Sequence, residues 1–112
     1  MKHIEYWRII VATYRHKLSD EQKECYQAIF AYLSDGMTTE QDLKLMFVDS
    51  GMYTREMFAF TLDELLGKNW SLEPKLGRQG MVKNFSEEKI VKIVKKRYDG
   101  SSERYYKLIN GK

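Results

Sequence analysis

Residues 90–109, Ile90-Val91-Lys92-Ile93-Val94-Lys95-Lys96-Arg97-Tyr98-Asp99-Gly100-Ser101-Ser102-Glu103-Arg104-Tyr105-Tyr106-Lys107-Leu108-Ile109, carry the clearest extended signal in the chain. Ile90, Val91, Ile93 and Val94 are β-branched, Asp99-Gly100 is a strong turn dipeptide, and Arg104 to Ile109 is strand-like. A helix competes for the first half. Ser86 can cap one, Ile90, Ile93 and Val94 also fall at helical spacing, and short apolar runs do not separate the two states. The β-branched density and the Asp-Gly turn favour a hairpin. Tyr105 and Tyr106 then lie on opposite faces of one strand, so one of them belongs to the core.

Working towards the N-terminus, Trp70-Ser71-Leu72-Glu73-Pro74 resembles a helix start, with Ser71 as cap and Pro74 in the first turn, where a missing N–H costs little. Leu76, Met81, Val82 and Phe85 supply its buried side. Gly77 and Gly80 each weaken a helix by roughly 1 kcal/mol relative to Ala. They fit equally a hairpin turning at Gly77-Arg78-Gln79-Gly80. The helix is the favoured reading.

The first two thirds of the chain are helical in pattern. Ile4, Trp7, Ile10, Val11, Tyr14 and Leu18 fall on one face of an amphipathic helix from about Ile4 to Leu18. Ser19 and Gln22 have capping-box spacing for a helix to about Leu33, with Cys25, Ile29, Phe30 and Leu33 inward and Asp35-Gly36 as its stop. Thr38 and Gln41 repeat that spacing, opening a helix to about Ser50-Gly51 with Leu43, Met46 and Phe47 on its core side. Thr54 caps a further helix to about Leu66, with Phe58, Leu62 and Leu65 inward and Gly67 closing it. Short connections make consecutive helices neighbours in space.

The 112 residues are 43% apolar and 31% charged, which is ordinary for a globular protein. They suit one domain, residues 1–112, with a helical part over 1–50 and a second part over 54–112. No apolar run is long enough to span a membrane, and the first residues lack signal-peptide character. Cys25 alone gives no internal disulfide, which fits a reducing cytoplasm. Charge is uneven. Residues 1–50 carry six Lys/Arg against eight Asp/Glu, whereas residues 68–112 carry twelve against five. A basic C-terminal part attracts phosphate or an acidic protein, although a solubilising lysine-rich surface carries the same charge.

The order of elements, together with Leu62-Asp63-Glu64-Leu65-Leu66, the Leu76-Gly77-Arg78 step within Ser71 to Phe85, and the stretch around Tyr98-Asp99-Gly100, resembles a winged helix-turn-helix over residues 54–112. That resemblance implies a supporting helix at 62–66, a recognition helix at 71–85 and a wing at 92–107. The expected fold class is therefore mainly α with a C-terminal β-hairpin: a winged helix-turn-helix with an N-terminal helical extension. A second register places the reader at Thr54 to Leu66 and the wing at Trp70 to Phe85. Glu56, Asp63 and Glu64 on such a reader repel phosphate, and that register favours a protein partner.

A helix fits the major groove, and its polar side chains must serve phosphates and base edges. Arg78 suits guanine and Gln79 suits adenine, while Lys75 and Lys83 suit phosphate. Lys92, Lys95, Lys96, Arg97, Arg104 and Lys107 offer the wing to a neighbouring backbone or groove. The reading requires the segment around Arg78 and the ribbon beyond it to direct their cations to one side. Enzyme chemistry finds little support. No His/Cys/carboxylate set has metal-ligand spacing, no phosphate loop is present, and Cys25 sits where a helix buries an inert thiol. The expectation is a non-catalytic double-stranded DNA-binding protein without metal or cofactor, a transcriptional regulator or a phage or plasmid replication accessory. The N-terminal helix with Trp7 and Tyr14 is a candidate homodimer face. The alternative is an adaptor or inhibitor presenting a basic surface to an acidic protein.

Overall fold

Ser19 accepts a hydrogen bond from the Gln22 N–H at 3.1 Å while the Gln22 side chain accepts from the Ser19 N–H at 2.8 Å. This reciprocal cap starts helix α1, Asp20–Leu33, in the computed structural model, which describes residues 18–74 and 80–109. The amphipathic helix read over Ile4 to Leu18, with its dimer role, lies outside the described residues except for Leu18, which is not helical.

After α1 a two-residue strand β1, Thr38–Thr39, leads into helix α2, Glu40–Lys44, which continues as a π-helical turn over Leu45–Asp49. The cap is Thr39, accepting from the Asp42 N–H at 3.1 Å, one residue later than the spacing of Thr38 and Gln41 suggests. Thr38 is instead spent on strand pairing. Helix α3, Arg55–Leu65, is capped by Thr54, as its sequence predicts. It ends in a Schellman motif: Gly67, at φ +76°, donates to the Glu64 carbonyl and Lys68 to the Asp63 carbonyl.

The regular elements among the remaining described residues are strands. β2, Trp70–Pro74, pairs antiparallel with β3, Met81–Phe85, and β4, Ile90–Lys96, pairs antiparallel with β5, Ser102–Leu108. β1 joins the second hairpin, giving one sheet ordered β1-β5-β4 and a separate two-stranded sheet β2-β3.

This corrects the fold class. The described protein is an α+β fold with three helices and five strands in two antiparallel sheets, not mainly α with one C-terminal hairpin. The recognition helix expected over Ser71 to Phe85 is a hairpin. Its two internal glycines disfavour a helix by about 2 kcal/mol together. Its large apolar side chains, Trp70, Leu72, Met81 and Phe85, instead share one face, at even spacing along each strand. The order seen here, a helix ending at Leu65 followed by a hairpin over Trp70–Phe85, contains the element types of the second register.

One core joins all the helices to the larger sheet. Cys25, Ile29 and Leu33 of α1 meet Leu43 and Phe47 of α2 and its π-turn, Phe58, Leu62 and Leu65 of α3, and Ile90 and Tyr106 of the sheet. The Tyr32 ring meets Phe47 edge-on at 5.6 Å, and the Tyr53 hydroxyl donates to Glu24 at 3.2 Å. Phe30 and Met46, read as inward, are exposed. Burial pushes the Cys25 thiol up, so it stays protonated and unreactive.

Candidate nucleic-acid interface

The β4–β5 hairpin is a ribbon whose tip stands clear of the core. Its turn is a three-residue loop in which Gly100 donates to the Arg97 carbonyl at 3.1 Å and Arg97 to the Ser101 carbonyl at 2.8 Å. Gly100 takes φ +86°, the left-handed position this turn requires. Asp99 accepts from both the Ser101 N–H, at 2.8 Å, and its hydroxyl, at 2.6 Å. These bonds hold the Asp99 carboxyl below the usual carboxylate range. Tyr98, at the apex, is fully exposed.

The register sorts the cations by face. Lys92, paired with Tyr106, lies on the same face as Lys96 and Arg104. That face is apolar at the base, through Ile90, Tyr106 and Leu108, and cationic towards the tip. Lys95 and Lys107 share the other face with Tyr105 and Glu103. Arg97 sits in the turn, and all six cations are exposed. The ribbon therefore directs its charge to both of its faces, which corrects the expectation that its cations point to one side, because the strand register alternates them.

Three of the six are held in place. Arg97 reaches the Glu103 carboxylate at 2.8 Å, and the Tyr105 hydroxyl donates to the same carboxylate at 2.9 Å. The Arg97 and Tyr105 hydrogen bonds hold the Glu103 carboxyl below its ordinary range and raise their own pKa values in return. The Lys95 ammonium lies 4.7 Å over the Tyr105 ring. Arg104 crosses to Glu40 of α2 at 3.4 Å, and Lys44 shares that carboxylate at 3.6 Å. A cleft of about 330 Å³ opens where Arg97 and Arg104 face Thr39, Gln41 and Lys44 of α2 and its approach.

Sequence reasoning grouped Lys92, Lys95, Lys96, Arg97, Arg104 and Lys107 on one ribbon, and the structure brings them together there. Lys83 lies on the other hairpin, its ammonium 4.5 Å over the Trp70 ring and 5.2 Å over the Phe85 ring. It is no helical phosphate anchor. Lys75, Arg78 and Gln79 fall outside the described residues, and the helix meant to carry them is replaced by strands on either side.

Glu103 and Glu40, which restrain the two arginines, were missed. The Arg97–Glu103 pair was readable, because a loop closing at Asp99-Gly100 brings those positions together across the ribbon. The Glu40–Arg104 pair, 64 residues apart, had no local signal.

Among the described residues, no group of His, Cys, Asp and Glu is arranged to hold a metal ion, and no helix is long and apolar enough to cross a membrane. No family model, curated protein sequence or solved structure matches the chain.

Proposed function

We propose that this protein binds double-stranded DNA without catalysis in the cytoplasm, as a transcriptional regulator or a phage or plasmid replication accessory, by inserting the β4–β5 ribbon into a groove. The observation that carries the reading is the placement of exposed cations on both faces of one narrow ribbon. The major groove admits a two-stranded β-ribbon. A ribbon standing in a groove has a phosphate wall on each side. Lys92, Lys96 and Arg104 then face one wall, Lys95 and Lys107 the other, and Arg97 extends from the turn. A ribbon lying flat on a surface would leave one set unused. Such contacts position the protein on the duplex and carry little base discrimination.

The test is a duplex titration at several salt concentrations. Affinity falls with a log–log slope near −0.9 per phosphate neutralised, and the Lys95→Ala/Lys96→Ala double variant makes that slope shallower by up to about 1.8. Binding indifferent to salt, or to the double substitution, refutes the proposal.

A second reading, an adaptor docking on an acidic protein, draws on a different observation. Leu45, Met46 and Met52 are exposed around the π-turn, next to the exposed Lys44. Exposed apolar side chains of this kind suit a protein interface. A partner that stays on immobilised protein after nuclease treatment, and is lost with Leu45→Lys, supports the adaptor over the DNA binder.

A further inference from the structure

Among the described residues the β2–β3 hairpin pairs with no other strand, and an isolated two-stranded sheet is marginal in water unless one face is covered. Its two faces differ. Ser71 on one face is buried at the base, and on that same face Asn84 donates to Glu73 at 2.7 Å. The opposite face carries Trp70 directly across from Phe85, then Leu72 across from Lys83 and Pro74 across from Met81. Phe85 is 55% exposed, Trp70 half-buried, and the Lys83 ammonium lies over both rings. Residues 68–85 carry Lys68, Lys75, Arg78 and Lys83 against Glu73 alone. Two cross-strand aromatic rings with an overlying cation, in a segment of net positive charge, form the kind of surface on which bases stack while cations follow the backbone.

We infer that the Trp70–Phe85 face is a stacking platform for an unpaired nucleobase of single-stranded nucleic acid, distinct from the duplex-directed ribbon. Lys83 is exposed and on a flexible stem. When a base takes its place over the rings, its ammonium pairs with the phosphate of the same nucleotide. Every base offers a π-face, so the platform discriminates little between sequences. The site complements the ribbon at a junction where a duplex opens, yet it rests on none of the ribbon's residues.

The experiment reads Trp70 emission in a Trp7→Phe background, since these are the two tryptophans. Titration with a single-stranded oligothymidylate quenches Trp70. Anisotropy of a fluorescently labelled oligothymidylate gives the affinities of the variants: Phe85→Ala and Trp70→Leu weaken binding about 5- to 150-fold, the loss of one base stack, and Trp70→Phe restores part of it. Far-UV circular dichroism confirms that each variant is folded. The Lys95→Ala/Lys96→Ala variant loses duplex affinity while the Trp70 quench persists, so failure of the ribbon and failure of the platform are told apart. Absence of quenching in the folded protein overturns the inference. So does self-association without nucleic acid that Phe85→Ala abolishes, which would assign the face to a second copy of the chain.

Discussion

Gly67 is the residue whose replacement tests the fold most sharply. It closes α3 at φ +76°, and a Cβ built there would lie 3.1 Å from the Ser86 carbonyl oxygen, 3.2 Å from the Glu88 Cβ and 3.3 Å from the Glu88 Cα. The left-handed conformation costs an alanine about 1–2 kcal/mol. The crowding adds to this, because two of the three neighbours are backbone atoms that cannot rotate away. Their strand connection is held by the Ser86 N–H on the Asn69 carbonyl and the Lys89 N–H on the Leu65 carbonyl, both at 2.7 Å. Overpacking of this kind costs about 1–3 kcal/mol. Gly67→Ala should therefore destabilise by about 2–5 kcal/mol in total. Gly51 is the control: it has φ +82° with nothing within 4 Å of a built Cβ, so Gly51→Ala exposes the conformational cost alone. Urea denaturation of both variants, fitted with a common m-value, gives the difference. Equal losses at the two positions would refute the close approach of α3 to the strand connection.

Two more outcomes follow from the sheet. Burial, with a smaller contribution from Glu40, pushes the Tyr106 phenol up to about 12. The unfolded phenol titrates near pH 10, so the stability this residue lends is complete below about pH 10 and is lost as the pH rises towards about 12, on the order of 2 kcal/mol. Tyr106→Phe should flatten that alkaline fall in thermal melts, and an unchanged alkaline limb would contradict the burial. Glu103→Gln releases Arg97 from its carboxylate, so duplex affinity should rise and the salt slope should steepen by up to about 0.9. Weaker binding by the glutamine variant would show that Glu103 organises the ribbon rather than restraining it.

The elements legible in the sequence are those whose signals are local. Ser19 with Gln22, Thr54, and Asp99-Gly100 each specify their own cap or turn, and α1, α3 and the β4–β5 ribbon follow from them. Three features escaped, each for its own reason. In Trp70 to Phe85 the sequence holds two compatible periodicities, and Ser71 and Pro74 mimic a helix start. Pairing Trp70 with Phe85 decides the matter, and no window within one strand contains that information. Thr38–Thr39 shows only a cap signal, because its strand character is conferred by Tyr105 and Tyr106 across the sheet. The π-turn over Leu45–Asp49 rotates Leu45 and Met46 outward, where a continuous α-helix from Thr38 would have kept Met46 on the Leu43 side. At the candidate site the cations were readable as a cluster, but their division between two faces needed the register, and the restraint on Arg104 needed the tertiary fold.

The two-residue strand β1 makes the architecture depend on its far end. Thr38 pairs with Tyr106 and Thr39 with Tyr105, so the middle strand of the larger sheet is the last of the described elements in chain order. A chain interrupted before Tyr106 would lack both the partner of β1 and one wall of the core, whatever its helices had already formed. Assembly must therefore await synthesis of β5, and the closure of the long loop between β1 and β5 is expected to set its pace. Strand β5, which carries Tyr106 into the core and Arg104 on the same face nearer the exposed tip, makes completion of the fold and presentation of the cationic ribbon a single event.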